Sequence, residues 1–278
     1  RPPPQQPPPA ASREALARES VRLQEALSSW EGARGGAAAH MRAARGRLPA
    51  ANSREEVVQA VHDARVVVLS GETGCGKSTQ VPQFLLEHHV SRGAGAECNI
   101  VCTQPRRISA MGVAERVADE RCEAVGDVVG YSVRLDTKRS ARTRLLFCTT
   151  GILLRRLVGD PSLGGVSHVI LDEVHERSVE SDLLLLLLKD LMGRRVDLRV
   201  VLMSATADSK LFASYFESLH PTPVIPSPVG EVSIPGFTHP VQEYFLEDVL
   251  ERTGFVIGKG SRWARKKRPA AEKPREAG

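Results

Sequence analysis

The sequence predicts an α/β fold, a mainly parallel sheet covered by helices on both faces in three layers. Three observations predict it. Apolar, β-branched runs alternate with helical stretches between residues 65 and 217. The first run, Arg65–Ser70, leads straight into a glycine-rich segment at 71–76. A later run, Val166–Leu171, ends on two carboxylates, Asp172 and Glu173.

Taken in order, residues 1–10 are rich in Pro and Gln and read as extended. Residues 13–30 have helical composition, which Gly32, Gly35 and Gly36 bring to an end. As a whole, 1–47 reads as a disordered, low-complexity segment. The character changes at Leu48-Pro49. A short helix is expected over 54–63, a buried strand over 65–70 and a helix over 77–88. Strands are then expected at 99–104, 129–134, 144–149, 166–171 and 198–203. The helices between and after them fall near 108–124, 151–158, 179–193 and 208–217. Past Leu219 the alternation stops, and Pro221, Pro223, Pro226, Pro228, Pro235 and Pro240 read as a linker. One more strand is expected at 241–246, then a short helix and a Lys/Arg/Pro tail.

Composition sets the broad class. Of 278 residues, 41% are apolar but only 4% aromatic, so the core is aliphatic. The net charge of +5 sits at the ends. Residues 1–50 carry +4 and 259–278 carry +6, which leaves 51–258 at −5. The basic balance therefore does not by itself make the middle of the chain a nucleic-acid binder. No stretch approaches the roughly 18 apolar residues that a membrane span requires. The five cysteines form no Cys-x-x-Cys pair and read as reduced thiols, with no structural metal. The chain starts at Arg1 and not Met, as expected of a fragment or a processed form.

The glycine-rich segment reads Gly71-Glu72-Thr73-Gly74-Cys75-Gly76-Lys77-Ser78-Thr79. Its glycines let backbone N–H groups turn toward phosphate oxygens, and the following helix N-terminus adds positive potential. Lys77 is a point charge for the outer phosphates, and the Ser78 hydroxyl is a Mg²⁺ ligand. The expected cofactors are therefore ATP, or a related triphosphate, and Mg²⁺. Asp172 and Glu173 end a strand and face the same crevice. Asp172 is the second Mg²⁺ candidate, through water, and Glu173 the group that orients and deprotonates the attacking water and lies near the metal. His175 reads as a hydrogen-bonding residue.

With these motifs quoted, a family emerges. Gly71–Gln80, Thr103-Gln104-Pro105-Arg106-Arg107, Thr149-Thr150-Gly151, Asp172-Glu173-Val174-His175-Glu176-Arg177 and Ser204-Ala205-Thr206 occur in helicase order. They resemble motifs I, Ia, Ib, II and III of the DEAH/RHA superfamily 2 RNA helicases. The resemblance runs from about Leu48 to Ile257. It implies a RecA-like P-loop NTPase domain over 48–228, with a linker and the start of a second such domain over 229–258 and a basic, disordered tail over 259–278. It also implies ATP-dependent RNA remodelling. In the family, an arginine at the position of Arg116 stacks on the adenine; spacing alone reads Arg116 as paired with Asp119 or Glu120. Arg106, Arg107 and Thr149 match positions that touch the RNA backbone, which carries no sequence information. Ser204 and Thr206 match the motif coupling nucleotide to RNA, and His175 is expected to share in that coupling; spacing alone makes Ser204 and Thr206 a strand-end hydrogen-bonding pair. Val241–Phe255 resembles only the beginning of the second domain, and Gly236-Phe237 stands where the family has Gly-Arg. The isolated chain is therefore expected to hydrolyse ATP weakly. A non-catalytic, ATP-gated RNA-binding module is the alternative. The DEVH spelling is similar to the branch whose helicase assists scanning small ribosomal subunits. That implies ribonucleoprotein partners and the cytoplasm, with nucleus and organelle as alternatives.

Overall fold

The computed structural model describes residues 13–205, 209–219, 227–236, 241–256, 258 and 261. Two compact units are present, one up to Phe237 and one from Thr238 onward.

The first unit opens with helices α1 (Arg13–Gly32), α2 (Gly36–Gly46), α3 (Pro49–Asn52) and α4 (Arg54–Asp63). Strand β1 (Ala64–Gly71) follows, then α5 (Lys77–Ser91), β2 (Ile100–Gln104) and α6 (Arg107–Glu120). Next come β3 (Val129–Val133), β4 (Asp136–Lys138), β5 (Leu145–Thr149), α7 (Thr150–Gly159) and β6 (His168–Leu171). The unit ends with α8 (Val179–Arg194), β7 (Arg199–Ser204), α9 (Ser209–Phe216) and β8 (Ser227–Ile234). The eight strands form one sheet in the order β4-β3-β5-β2-β6-β7-β1-β8. All neighbours are parallel except β3 and β4.

Side chains alternate across the pleat and build two cores. Val67 and Leu69 of β1 face one cluster, with Val81, Leu85 and Val117 of α5 and α6. Val66 and Val68 face the other, with Leu153, Leu188 and Phe216 of α7, α8 and α9. This is the expected three-layer α/β arrangement. Because the sheet is parallel, the ends of β1, β2, β5, β6 and β7 share one edge, where every sequence motif lies.

Three expectations are corrected. The first is residues 1–47 as a disordered segment, since 13–46 form two helices seated on the domain. Leu23 and Leu27, one turn apart, are buried in the first core, each worth about 1.5–3 kcal/mol. Arg45 is also buried, paired with Glu87 at 2.8 Å and bonded to Gln80 Oε1 at 2.8 Å. Trp30 donates Nε1–H to Glu120 O at 3.2 Å, and the Arg45 guanidinium lies 5.1 Å from its ring centroid. An Ala/Arg-rich composition hides these contacts, because Arg45 and Trp30 find their hydrogen-bond partners more than 30 residues away in sequence.

The second is the boundary at 228. β8 pairs in parallel with β1 from Ala64↔Ser227 to Gly71↔Ile234, so the sheet continues through the expected linker. Val232 and Ile234 enter the core, while Glu231 and Ser233 are exposed. That alternation is the strand signal that the neighbouring prolines obscure.

The third is the strand at 241–246. Residues 241–245 are irregular, and α10 (Leu246–Thr253) begins at Leu246. The Asp248 side chain accepts from Phe245 N–H at 2.9 Å, an N-terminal cap that starts the helix there. Most of the basic tail lies outside the described residues.

Candidate nucleotide site and nucleic-acid edge

The glycine-rich loop joins β1 to α5. Gly74 and Gly76 have φ of 84° and 98°, a left-handed backbone open to glycine at little cost. A Cβ on Gly76 would also lie 3.2 Å from Leu48 Cδ1, so the chain before α3 packs directly on the loop. Ala50 N–H donates to Cys75 O at 3.0 Å, which ties that approach down. Cys75 itself is buried, whereas Glu72, Thr73 and Gly74 form an exposed tip. Ser78 and Thr79 are half-buried in the first turn of α5, and Thr79 Oγ1 bonds Gly76 O at 3.3 Å.

Lys77 is buried, and its ammonium folds back on the loop. Nζ donates to Gly71 O and to Glu72 O, the latter at 3.0 Å. Carbonyl oxygens thus hold the cation where phosphate oxygens would compete for it.

Asp172 sits just past β6, also buried. Gln104, at the end of neighbouring β2, donates Nε2–H to Asp172 Oδ2 at 2.6 Å. The Glu173 N–H donates to Oδ1 at 2.9 Å. Burial raises the Asp172 pKa above the ordinary carboxylate value. The neighbouring Ser78 hydroxyl, Gln104, the Glu173 N–H and the Lys77 charge oppose that rise. Ser78 and Asp172, 94 residues apart in sequence, therefore face the same small space.

Glu173 is different. It is half-buried, with φ 57° and ψ 37°, a left-handed conformation uncommon for a side-chain-bearing residue. Such strain concentrates at functional sites. Its pKa is also raised, first by burial and then by the Asp172 charge, while His175 and Lys77 lower it.

His175 bridges two motifs. Its Nδ1 accepts from Ala205 N–H at 3.2 Å, so the neutral ring carries its proton on Nε2. Glu173 Oε2 lies 3.5 Å from the same nitrogen. Since Nδ1 is already an acceptor, that approach is a charge contact on protonation and not a hydrogen bond of the neutral ring. Ser204 is fully buried, opposite Ser70 in the β1–β7 register. Thr206 lies outside the described residues.

Farther along the edge, Gln104 and Thr149 are register partners in β2 and β5. Arg106 and Arg107 follow Gln104 by two and three residues, at the same end of the sheet as Thr149, the residue before α7. Both arginines are exposed; Arg106 pairs with Glu176 at 3.1 Å, and Ile108 next to them is 85% exposed. Arg116 is not brought to the glycine loop directly. It pairs with Glu120 at 2.8 Å, as its spacing allows. Glu120 in turn accepts from Gln80 and Gln83 of α5, each at 2.8 Å, so Arg116 reaches the loop helix through one carboxylate.

Sequence reasoning left three residues without a role: Gln104, Glu120 and Ala205. Gln104 and Ala205 lie inside quoted motifs, and that position was the available signal. Glu120 carried only its spacing from Arg116, and nothing pointed to its bonds with Gln80 and Gln83.

The arrangement can hold a chain of phosphates at the loop, a cation between Ser78 and Asp172, and a carboxylate base at Glu173. A family model of the DEAD/DEAH box helicase matches residues 52–213. The chain belongs to this helicase family. The ATP-dependent RNA helicase DExH1 of Arabidopsis thaliana is 54% identical over 217 residues, 78% of this chain and 21% of its own length. The ATP-dependent RNA helicase DHX30 of Gallus gallus is 52% identical over 208 residues, 74% of this chain and 16% of its own. The ATP-dependent DNA/RNA helicase DHX36 of Homo sapiens is 49% identical over 215 residues, 76% of this chain and 20% of its own. The chain thus spans about a fifth or less of these relatives' length.

Proposed function

We propose that this helicase domain binds Mg·ATP at the glycine loop and hydrolyses it, coupling hydrolysis to RNA held along the sheet edge at Arg106, Arg107 and Thr149. The observation that carries the reading is the meeting of Ser78 and Asp172, with the Lys77 charge felt by both acidic residues. Ser78 and Asp172 would hold the Mg²⁺, which supplies charge neutralisation on the phosphates. Lys77 would leave its two carbonyls for the outer phosphates. Glu173, once ionised, would take a proton from the attacking water at its carboxylate. Arg116 would stack on the base after leaving Glu120, a contact blind to base identity.

The His175 Nδ1 bond to Ala205 N–H supports a coupling role for the segment holding Ser204 and Thr206. A change at Glu173 is one residue pair away from the end of β7. The RNA edge offers guanidinium groups and a hydroxyl suited to phosphate and sugar, so the expected recognition is of backbone and not sequence.

We further place the protein beside the helicases that assist scanning small ribosomal subunits, in the cytoplasm and with ribonucleoprotein partners. Support for that is the DEVH spelling and the stretches 98–107 and 246–255. As an isolated polypeptide these residues should turn over slowly, because an arginine finger supplied by a second domain typically adds ~10³–10⁵ in rate.

The test is RNA affinity of the purified chain with and without a non-hydrolysable Mg·ATP analogue, across salt. The reading expects nucleotide-dependent binding of single-stranded RNA, insensitive to sequence, weakened by Arg106→Ala with Arg107→Ala. Binding that ignores both nucleotide and these arginines would overturn the reading, whereas nucleotide-dependent binding without any hydrolysis would favour the alternative of a non-catalytic, ATP-gated RNA-binding module.

A further inference from the structure

The opposite edge of the same sheet holds a second cluster of chemistry. His89 lies in the last turn of α5, Cys98 two residues before β2, and His168 begins β6. Among the described residues, these three bring one nitrogen or sulfur atom each to within 4.8 Å of one another. Cys98 and His168 are buried and His89 is half-buried. The two imidazole centroids stand 5.1 Å apart. The Ile100↔His168 register of β2 and β6 fixes the backbone of this corner.

We infer that His89, Cys98 and His168 form a binding site for a zinc-like transition-metal ion, with water or an added ligand in the fourth position. One thiolate and two imidazoles suit a borderline-soft, four-coordinate ion such as Zn²⁺ and exclude Mg²⁺ and Ca²⁺, which take oxygen. Bond lengths of about 2.0–2.3 Å to tetrahedral zinc put ligand atoms roughly 3.4–3.6 Å apart. The corner must therefore tighten by about an ångström, and half-buried His89 at the helix end can supply that movement. Ser167 supports the ligands from outside. Its Oγ lies 2.8 Å from His168 Nδ1 and also hydrogen-bonds the Cys98 thiol.

Burial keeps both buried groups uncharged, which readies the His168 imidazole for a metal but leaves Cys98 a thiol. Burial first, then the charges of His89 and Arg199, hold the His168 pKa down to about 3, so its ring is neutral. Burial pushes the Cys98 thiol up to about 12. Metal binding must then displace that proton: Zn²⁺ takes the sulfur lone pair, the S–H bond breaks, and one H⁺ passes to solvent. The resulting thiolate would face the positive charge of Arg144, whose guanidinium is bonded to Asn99 Oδ1 at 2.9 Å. No Cys-x-x-Cys spacing announces the site, because its ligands come from three elements spread over 80 residues.

The placement gives the ion a consequence. α5 starts at Lys77, β2 runs to the residues before Arg106, and β6 ends before Asp172. A metal at this corner would pin the far ends of all three elements.

The test uses tag-free chain with excess Mg²⁺ to occupy carboxylates, titrated with Co²⁺ and then Zn²⁺. The expected result is one ion per chain. Cobalt should give a thiolate charge-transfer band in the near ultraviolet, zinc should abolish it, and the thermal midpoint should rise. Cys98→Ala should remove the band. His89→Gln, at the half-buried position, should fold as the parent by circular dichroism. It should lose more affinity than the ~10–100-fold typical of losing an outer-shell partner. A parent chain without the band, or uptake unchanged in either variant, would overturn the proposal.

Discussion

The glycine loop after β1 and the acidic turn after β6 face each other, yet they are built in opposite ways. The loop is built largely from its own residues, with Leu48 and Ala50 packed on it from about 25 residues earlier. Its left-handed glycines, the Lys77 bonds to Gly71 O and Glu72 O, and the Thr79 bond to Gly76 O all fall within nine residues. The acidic turn depends on distant partners: Gln104 is 68 residues from Asp172 and Ala205 is 30 from His175. Charge follows the same division. The loop's cation is hydrogen-bonded by its own carbonyls. The turn keeps one buried and one half-buried carboxyl, and both pKa values are raised. A phosphate site can thus be local, whereas a metal and base site needs the whole sheet edge.

The largest expected break of that comparison is Glu173→Gln. It keeps shape and nucleotide binding but removes the base, and single-turnover hydrolysis should fall ~10²–10⁴-fold. Next comes Gln104→Ala, which releases one oxygen of Asp172. As loss of an outer partner, it should raise the Mg²⁺ concentration for half-maximal activity ~10–100-fold and leave metal-free nucleotide binding alone. On the loop side, Gly76→Ala forces a Cβ into φ 98° against Leu48, at a cost of about 1–3 kcal/mol in denaturant unfolding. Should Gln104→Ala prove harmless to the Mg²⁺ dependence, the acidic turn would be as local as the loop.

Acidity sharpens the same contrast. Glu173 must be ionised to act, and burial beside Asp172 raises its pKa. The acid limb of turnover should therefore lie above the ordinary glutamate value and move up no further at higher pH. Stability carries the reverse sign. With both folded pKa values raised, the native state holds more protons than the unfolded chain between the ordinary and the raised values. These two groups should lower stability as pH rises through that window, and Glu173→Gln should flatten the fall. The smallest effect is expected at Arg116→Ala. Its half-exposed pair with Glu120 contributes little in solution, so folding should hold while ATP affinity drops by less than about tenfold.

This contrast also explains what the sequence could disclose. The order of helices and strands was legible because buried parallel strands are continuous apolar runs, and the loop because its chemistry is contiguous. Asp172 and Glu173 were legible as strand-end carboxylates. The docked helices α1 and α2 were not, since Arg45 and Trp30 find Glu87, Gln80 and Glu120 only after folding. β8 was masked by Pro228 within it and by Pro226 and Pro235 on either side. Arg116 shows the limit of resemblance: the family implies a base-stacking residue, and the structure holds it in an ion pair from which it must first be released.

The most direct test of the central claim is single-turnover hydrolysis of Mg·ATP by the parent chain and by Glu173→Gln, after both are shown to bind nucleotide with equal affinity. The account predicts a slow but measurable parent rate and a variant slower by ~10²–10⁴-fold. Equal rates in the two proteins would mean that the carboxylate at the end of β6 is not the base, and the reading of this edge would fail.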